Sequence, residues 1–180
     1  LIKDFCKQSK VVSYELPKKV RRGCFPEEYL IHYKLNSIVG LHVDQSPIYG
    51  NLHTAKITFD ASYPLGGQPR CYMISNTWHP NIRSLGNHKG HICINAKALG
   101  AWHTLDMLVE RIGEILQYKN YHALNIDPWP EDAIAAKWVR EYAEPRGIVD
   151  KSKGIYTDKQ RLLEPSEEWL NSRVRKIAGI

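Results

Sequence analysis

At 180 residues the chain has the length of one ordinary domain, enough to bury a core and too short for two catalytic units, so a single site is expected. No apolar run approaches the roughly 20 residues of a membrane-spanning helix, and the first residues lack the charged-then-apolar layout of a signal peptide, although a start at Leu1 suggests that the native N-terminus lies upstream. The expectation is a soluble cytoplasmic protein without a membrane partner, whose net charge of +6 sits partly in residues 18–22 (KKVRR) and 173–176 (RVRK). Without aromatic residues interleaved, those runs read as solvated tails and argue against a nucleic-acid surface.

Residues 1–24 are Lys-rich and lack a clean period, which fits a short helix with a linker. From Phe25 the pattern changes. EYLIHYKLN, IVGLHV, LHTAKITFD and RCYMISN are rich in β-formers and separated by turn-like punctuation such as QSPIYGN and YPLGGQP, predicting a four-stranded antiparallel meander. TLDMLVERIGEILQY then sets Leu105, Leu108, Val109, Ile112, Ile115 and Leu116 on one helical face, with Thr104 as N-cap. PWPEDAIAAKWVREYA predicts a second helix burying Ile134, Ala135, Trp138, Val139 and Tyr142, and a third is expected from Ser166. Strands first and helices after give an α+β domain, taken as one unit with its core over about 25–143 and a C-terminal extension over 144–180.

The connection between the strands and the first long helix gathers His79, Asn81, His88, His91, Cys93, Trp102 and His103. Long irregular connections in compact domains usually carry function. Four cysteines, Cys6, Cys24, Cys71 and Cys93, without a C-x-x-C pair argue against a zinc ribbon or a disulfide scaffold. Three readings of Cys93 stay open. As a metal ligand it would join His88 and His91, with His79 or His103 completing the set, but His-x-x-His-x-Cys is a poor pattern because neighbours at a strand end point to opposite sides. As a small apolar residue between Ile92 and Ile94 it would be packing. As a nucleophile it needs an accessible thiol and an oxyanion donor; the Asn81 amide is the candidate donor, with Gly86 and Gly90 allowing the chain to fold back toward it.

The order WHPNI, a glycine-containing loop, G-x-I-C and a Trp opening an amphipathic helix resembles the core of ubiquitin-conjugating enzymes. SPIYGNLHTAKITFDASYPLGGQP upstream, and HALN followed by EDAIAAKW downstream, are similar to that family in the same order. The resemblance implies its fold: N-terminal helix, four-stranded meander, active-site loop and C-terminal helices. By position, Cys93 resembles the thioester-forming cysteine and Asn81 the asparagine that supports the loop and the oxyanion. His79, Pro80 and Trp102 resemble structural residues of the motif. His122, before Ala-Leu-Asn where the family often has an acid or serine, is a candidate to orient or deprotonate the incoming amine. Lys89 or His91 would either raise the thiolate fraction or be solvated loop residues.

The segment between Asn81 and Cys93 is about four residues longer than the family's usual loop, an insertion over 83–90 that includes His88 and Lys89 and leaves open how close Asn81 and Cys93 come. The resemblance is to divergent bacterial members found beside ubiquitin-like proteins, activating enzymes and peptidases, which implies an antiphage-defence setting. It further implies a ubiquitin-like modifier, an activating enzyme and a substrate protein as partners, and neither a metal nor a cofactor. The alternative is a non-catalytic interaction module on the same fold that binds a modifier or a partner protein.

Overall fold

A computed structural model describes residues 2–20, 24–60, 63, 67–94, 104–155, 161–163, 171 and 175. It is an α+β structure. Helix α1 (Ile2–Gln8) leads into β1 (Val12–Glu15), β2 (Glu28–Tyr33), β3 (Ser37–Leu41), β4 (Pro47–Gly50), β5 (His53–Thr58) and β6 (Arg70–Met73), followed by α2 (Leu105–Leu116) and α3 (Ala133–Trp138). A π-helical turn, Val139–Ala143, and a 3-10 turn, Glu144–Arg146, continue α3.

Four antiparallel strands do form one sheet, in the order β1-β2-β5-β6, but their membership differs from the expected meander. VSYE enters as β1, pairing Val12 with Tyr33, where a helix or linker was expected. IVGLHV leaves the sheet: its residues fold as β3 against β4 in a separate hairpin built from the PIYG that reads as punctuation. The physical reason is the two-residue alternation of side chains. Val12 brings a buried apolar residue opposite Tyr33, and the row continues through Ile31, Ala55, Ile57, Cys71 and Met73, whereas β4 exposes Ile48 and Tyr49 and so suits a hairpin outside the main sheet.

The inward row shares one core with Phe5 of α1 and with Leu108, Val109, Ile112, Ile115 and Leu116 of α2. All five of those α2 residues are buried, as their spacing predicts, while Leu105 packs at the edge. Tyr33 fastens the layers by donating its hydroxyl to the Val109 carbonyl at 2.9 Å. Thr104 sits at the N-cap with extended backbone, but its side chain makes no capping bond.

A second core gathers Ile38, Tyr118, Tyr121, Trp138, Val139 and Val149. Here the predicted stripe needs one correction. Asp132 caps α3 by accepting from the backbone N–H of Ile134 and of Ala135, both at 2.9 Å, and the phase it sets turns Ala135 and Ala136 inward. Ile134 is left 71% exposed. Packing continues beyond residue 143, since Val149 is buried and Leu162 lies over Gly113 of α2. The helix expected over 166–178 falls outside the described residues apart from Asn171 and Arg175. Among the described residues no helix is long and apolar enough to cross a membrane.

Candidate active site

Beyond β6 the chain pairs with itself twice more. The Ile92 N–H donates to the Cys71 carbonyl at 2.9 Å and the Met73 N–H to the Gly90 carbonyl at 2.7 Å, so residues 90–92 run antiparallel along the edge of β6. Residues 81–83 in turn run antiparallel to 91–93: the Cys93 N–H donates to the Asn81 carbonyl at 2.8 Å, and the Arg83 N–H to the His91 carbonyl at 3.0 Å. Residues 84–90 therefore form the tip of a hairpin. Extra residues at a tip leave the register at the base unchanged, so Asn81 and Cys93 stand directly opposite each other despite the eleven residues between them. Gly86 and Gly90 take φ of +79° and +86°, and a Cβ at Gly90 would run into the Met73 carbonyl, so the closing turn requires glycine there.

Alternation along this ribbon decides what each residue does. Ile82, Ile92 and Ile94 are buried in the first core, whereas Cys93 is only half-buried and lines a cleft of about 180 Å3. Of the three readings, packing belongs to the flanking isoleucines. Cys71 is the buried thiol, pushed up to about 12 by desolvation, and Cys6 is pushed up to about 11 by the same cause.

Asn81 is buried, and its amide ties the site together. Nδ2 donates to the Cys93 carbonyl at 3.0 Å, and Oδ1 accepts from the His122 N–H at 2.8 Å. An amide nitrogen carries two hydrogens, so one remains beyond the bond to Cys93. His79 is fully buried and accepts from the Asn81 N–H on Nδ1 at 3.0 Å, while its ring meets Tyr118 edge-to-face at 4.4 Å. Burial lowers its pKa to about 3, which keeps the ring neutral and the turn intact. The Pro80 carbonyl accepts from the Asp132 N–H at 3.1 Å, joining the turn to the start of α3.

His122 lines the same cleft as Cys93. Its Nε2 lies 3.3 Å from the Ile126 carbonyl, so Nε2 carries the proton in that bond and Nδ1 of the neutral ring is left as an acceptor. His88 and Lys89 are exposed on the hairpin tip and do not line the cleft. His91 is engaged elsewhere: Nδ1 meets Glu131 at 3.0 Å, and Arg83 Nε meets the other carboxylate oxygen at 2.7 Å. Trp102 and His103 lie outside the described residues. Among the described residues no three His, Cys, Asp or Glu side chains converge to hold a metal ion.

Besides His122, seven cleft residues escape a reading confined to the 78–95 segment: Arg111 on α2, Asn120 and Tyr121 after it, and the run Pro128, Trp129, Pro130 and Glu131 before α3. Arg111 pairs with Glu114 at 3.6 Å, and Trp129 is 66% exposed at the rim. Glu131 has no direct signal in the sequence. The residues 83–91, RSLGNHKGH, contain cationic or titratable side chains and no acid, so any carboxylate partner for Arg83 or His91 comes from outside the hairpin.

Compared with known proteins, the chain matches no family model and no curated sequence.

Proposed function

We propose that the chain is a ubiquitin-like-protein conjugating enzyme, a cysteine acyltransferase that carries its modifier as a thioester on Cys93. The observation that carries the reading is the opposition of Cys93 and Asn81 across a two-stranded ribbon, with the thiol turned into a cleft that His122 also lines. The motif and colinear segments that resemble the family supply the class of reaction. The cleft supplies a geometry in which that reaction can run.

In the first step the Cys93 thiolate attacks the modifier carbonyl held on an activating enzyme's cysteine. A new C–S bond forms, the old one breaks, and the donor cysteine leaves as a thiolate. In the second step a substrate amine attacks the Cys93 thioester. The free hydrogen on Asn81 Nδ2 is the donor for the oxyanion, and Nδ1 of His122 takes the amine proton as the C–N bond forms and Cys93 departs. His79 and Pro80 hold the turn that presents Asn81. Neither step requires a cofactor.

A non-catalytic module would have no use for a thiol turned toward the cleft while its neighbours fill the core. The deciding measurement is incubation with a candidate modifier, its activating enzyme and ATP, followed by non-reducing electrophoresis. A thiol-sensitive adduct is expected with the wild type and absent with Cys93→Ala. His122→Ala should still charge but discharge to amine about 10²-fold more slowly. A charged activating enzyme that leaves wild-type protein unmodified would sink the acyltransferase reading in favour of the module.

A further inference from the structure

Arg83 and His91 face each other across the hairpin, two residue pairs further toward the tip than Asn81 and Cys93 and just beyond the Ile82–Ile92 pair, so alternation puts all four side chains on one face of the ribbon. The opposite face carries Ile82 and Ile92 into the core. The polar face is joined to the 122–131 segment at both ends. At the base, Asn81 Oδ1 takes the His122 N–H at 2.8 Å; toward the tip, Arg83 and His91 converge on separate oxygens of Glu131 at 2.7 and 3.0 Å. Asn81, Cys93, His122 and Glu131 all line the cleft.

The outer attachment is built to hold. The Glu131 side chain is only 12% exposed and binds both partners, which lie 48 and 40 residues away in sequence. The next residue, Asp132, caps α3 and bonds back to Pro80, so Glu131 sits on backbone that is already fixed. Within the hairpin the tip is closed by the Gly90 N–H on the Arg83 carbonyl at 2.7 Å, and the His91 ring rests against Tyr72 at 5.6 Å. Both ends of the staple are therefore anchored to the folded body, and its Glu131 end lines the cleft.

We infer that Glu131 is a positioning residue, clamped by Arg83 and His91 so that the segment carrying His122 is held across from Cys93, and that the hairpin insertion exists to supply the clamp. This deepens the acyl-transfer reading and rests on it for its catalytic consequence. Charging from an activating enzyme needs only the thiol, so it does not depend on the clamp. Discharge requires amine, thioester and His122 in register, and misplacement of about 1 Å in such an arrangement costs on the order of a hundredfold.

Two measurements on the full chain test this. In the first, alkylation of Cys93 by iodoacetamide is followed by peptide mass spectrometry, with no modifier present. Glu131→Ala should raise the rate roughly five- to tenfold as the cleft wall is released. In the second, discharge of the modifier from Cys93 to free lysine should slow about ten- to a hundredfold in Glu131→Ala, with charging unchanged and the shape of the pH profile kept. Arg83→Ala and His91→Ala should each give a smaller loss and add nothing in the Glu131→Ala background, while Arg83→Lys should retain most of the rate. A folded Glu131→Ala protein with wild-type alkylation or wild-type discharge overturns the inference, as does additive loss in the double variants. If wild-type protein is never charged, the acyl-transfer reading fails, and unchanged alkylation would still refute the clamp independently.

Discussion

The two faces of the 81–83 and 91–94 ribbon share a backbone and differ in everything else. One face puts Ile82, Ile92 and Ile94 into the core that also holds the sheet and α2. The other carries Asn81, Arg83, His91 and Cys93 toward the cleft and the 122–131 segment. Neighbouring residues thus do unrelated work, and a single step along the chain separates a residue that holds the fold from one available for chemistry. Cys71 and Cys93 make the same point in one residue type. They lie on adjacent strands, joined through the Ile92 N–H on the Cys71 carbonyl, yet one thiol is sealed in the core and the other opens on the cleft.

The sharpest way to break this contrast is to cut into the apolar face. Ile92→Ala should cost about 2–5 kcal/mol, the usual range for deleting a fully buried branched side chain and leaving a partly collapsed cavity. Urea denaturation measures it. The backbone bonds of residue 92 remain, so the folded fraction should keep a reactive Cys93. A loss below about 1 kcal/mol would mean that the ribbon does not rest on its isoleucines.

How much of this is legible in the sequence follows from the range of each interaction. Helix α2 is readable because six apolar residues at helical spacing report a local period, and EYLIHY, HTAKIT and RCYM are readable from β-rich alternation. β1 escapes because VSYE is four residues long and set among lysines; its place depends on Tyr33 and Ile31 across the sheet. Ile134 misleads because an unbroken 3.6-residue stripe ignores where Asp132 starts the helix and how the π-helical turn after Trp138 shifts its phase. For the candidate site, the segments that carry the family resemblance single out Cys93, Asn81 and His122, but the register that opposes two of them is hidden by the hairpin's length. Glu131 is hidden more deeply, because its partners are assembled only by tertiary folding.

Acidification is the next largest lever, and it acts beneath the polar face. His79 supports Asn81 through Nδ1, and burial lowers its pKa to about 3 against an ordinary value near 6.5. Below pH 6.5 the unfolded chain binds a proton that the native ring refuses, so stability falls as pH drops and stops falling through this group near pH 3. At about 1.4 kcal/mol per unit, the loss by pH 4.5 is roughly 2–3 kcal/mol. Burial also lowers the pKa of His53, which adds to the slope in the same direction. The informative quantity is consequently the difference between wild type and His79→Gln, measured by denaturation from pH 7 to pH 4. The variant should show the shallower slope; equal slopes would mean that His79 accepts its proton in the folded protein.

The smallest effect on folding is expected at Cys93, the proposed nucleophile. Cys93→Ala removes one sulfur atom from a half-buried position on the polar face. The bonds that fix residue 93, its N–H on the Asn81 carbonyl and its own carbonyl on Asn81 Nδ2, belong to the backbone and survive the change. Ile92 and Ile94 keep their places in the core, so no cavity opens beneath. A surface-like change of this kind is worth about 0–1 kcal/mol. The melting temperature should barely move while the adduct is lost completely. A loss comparable to that of Ile92→Ala would return Cys93 to the packing role and erase the difference between the two faces.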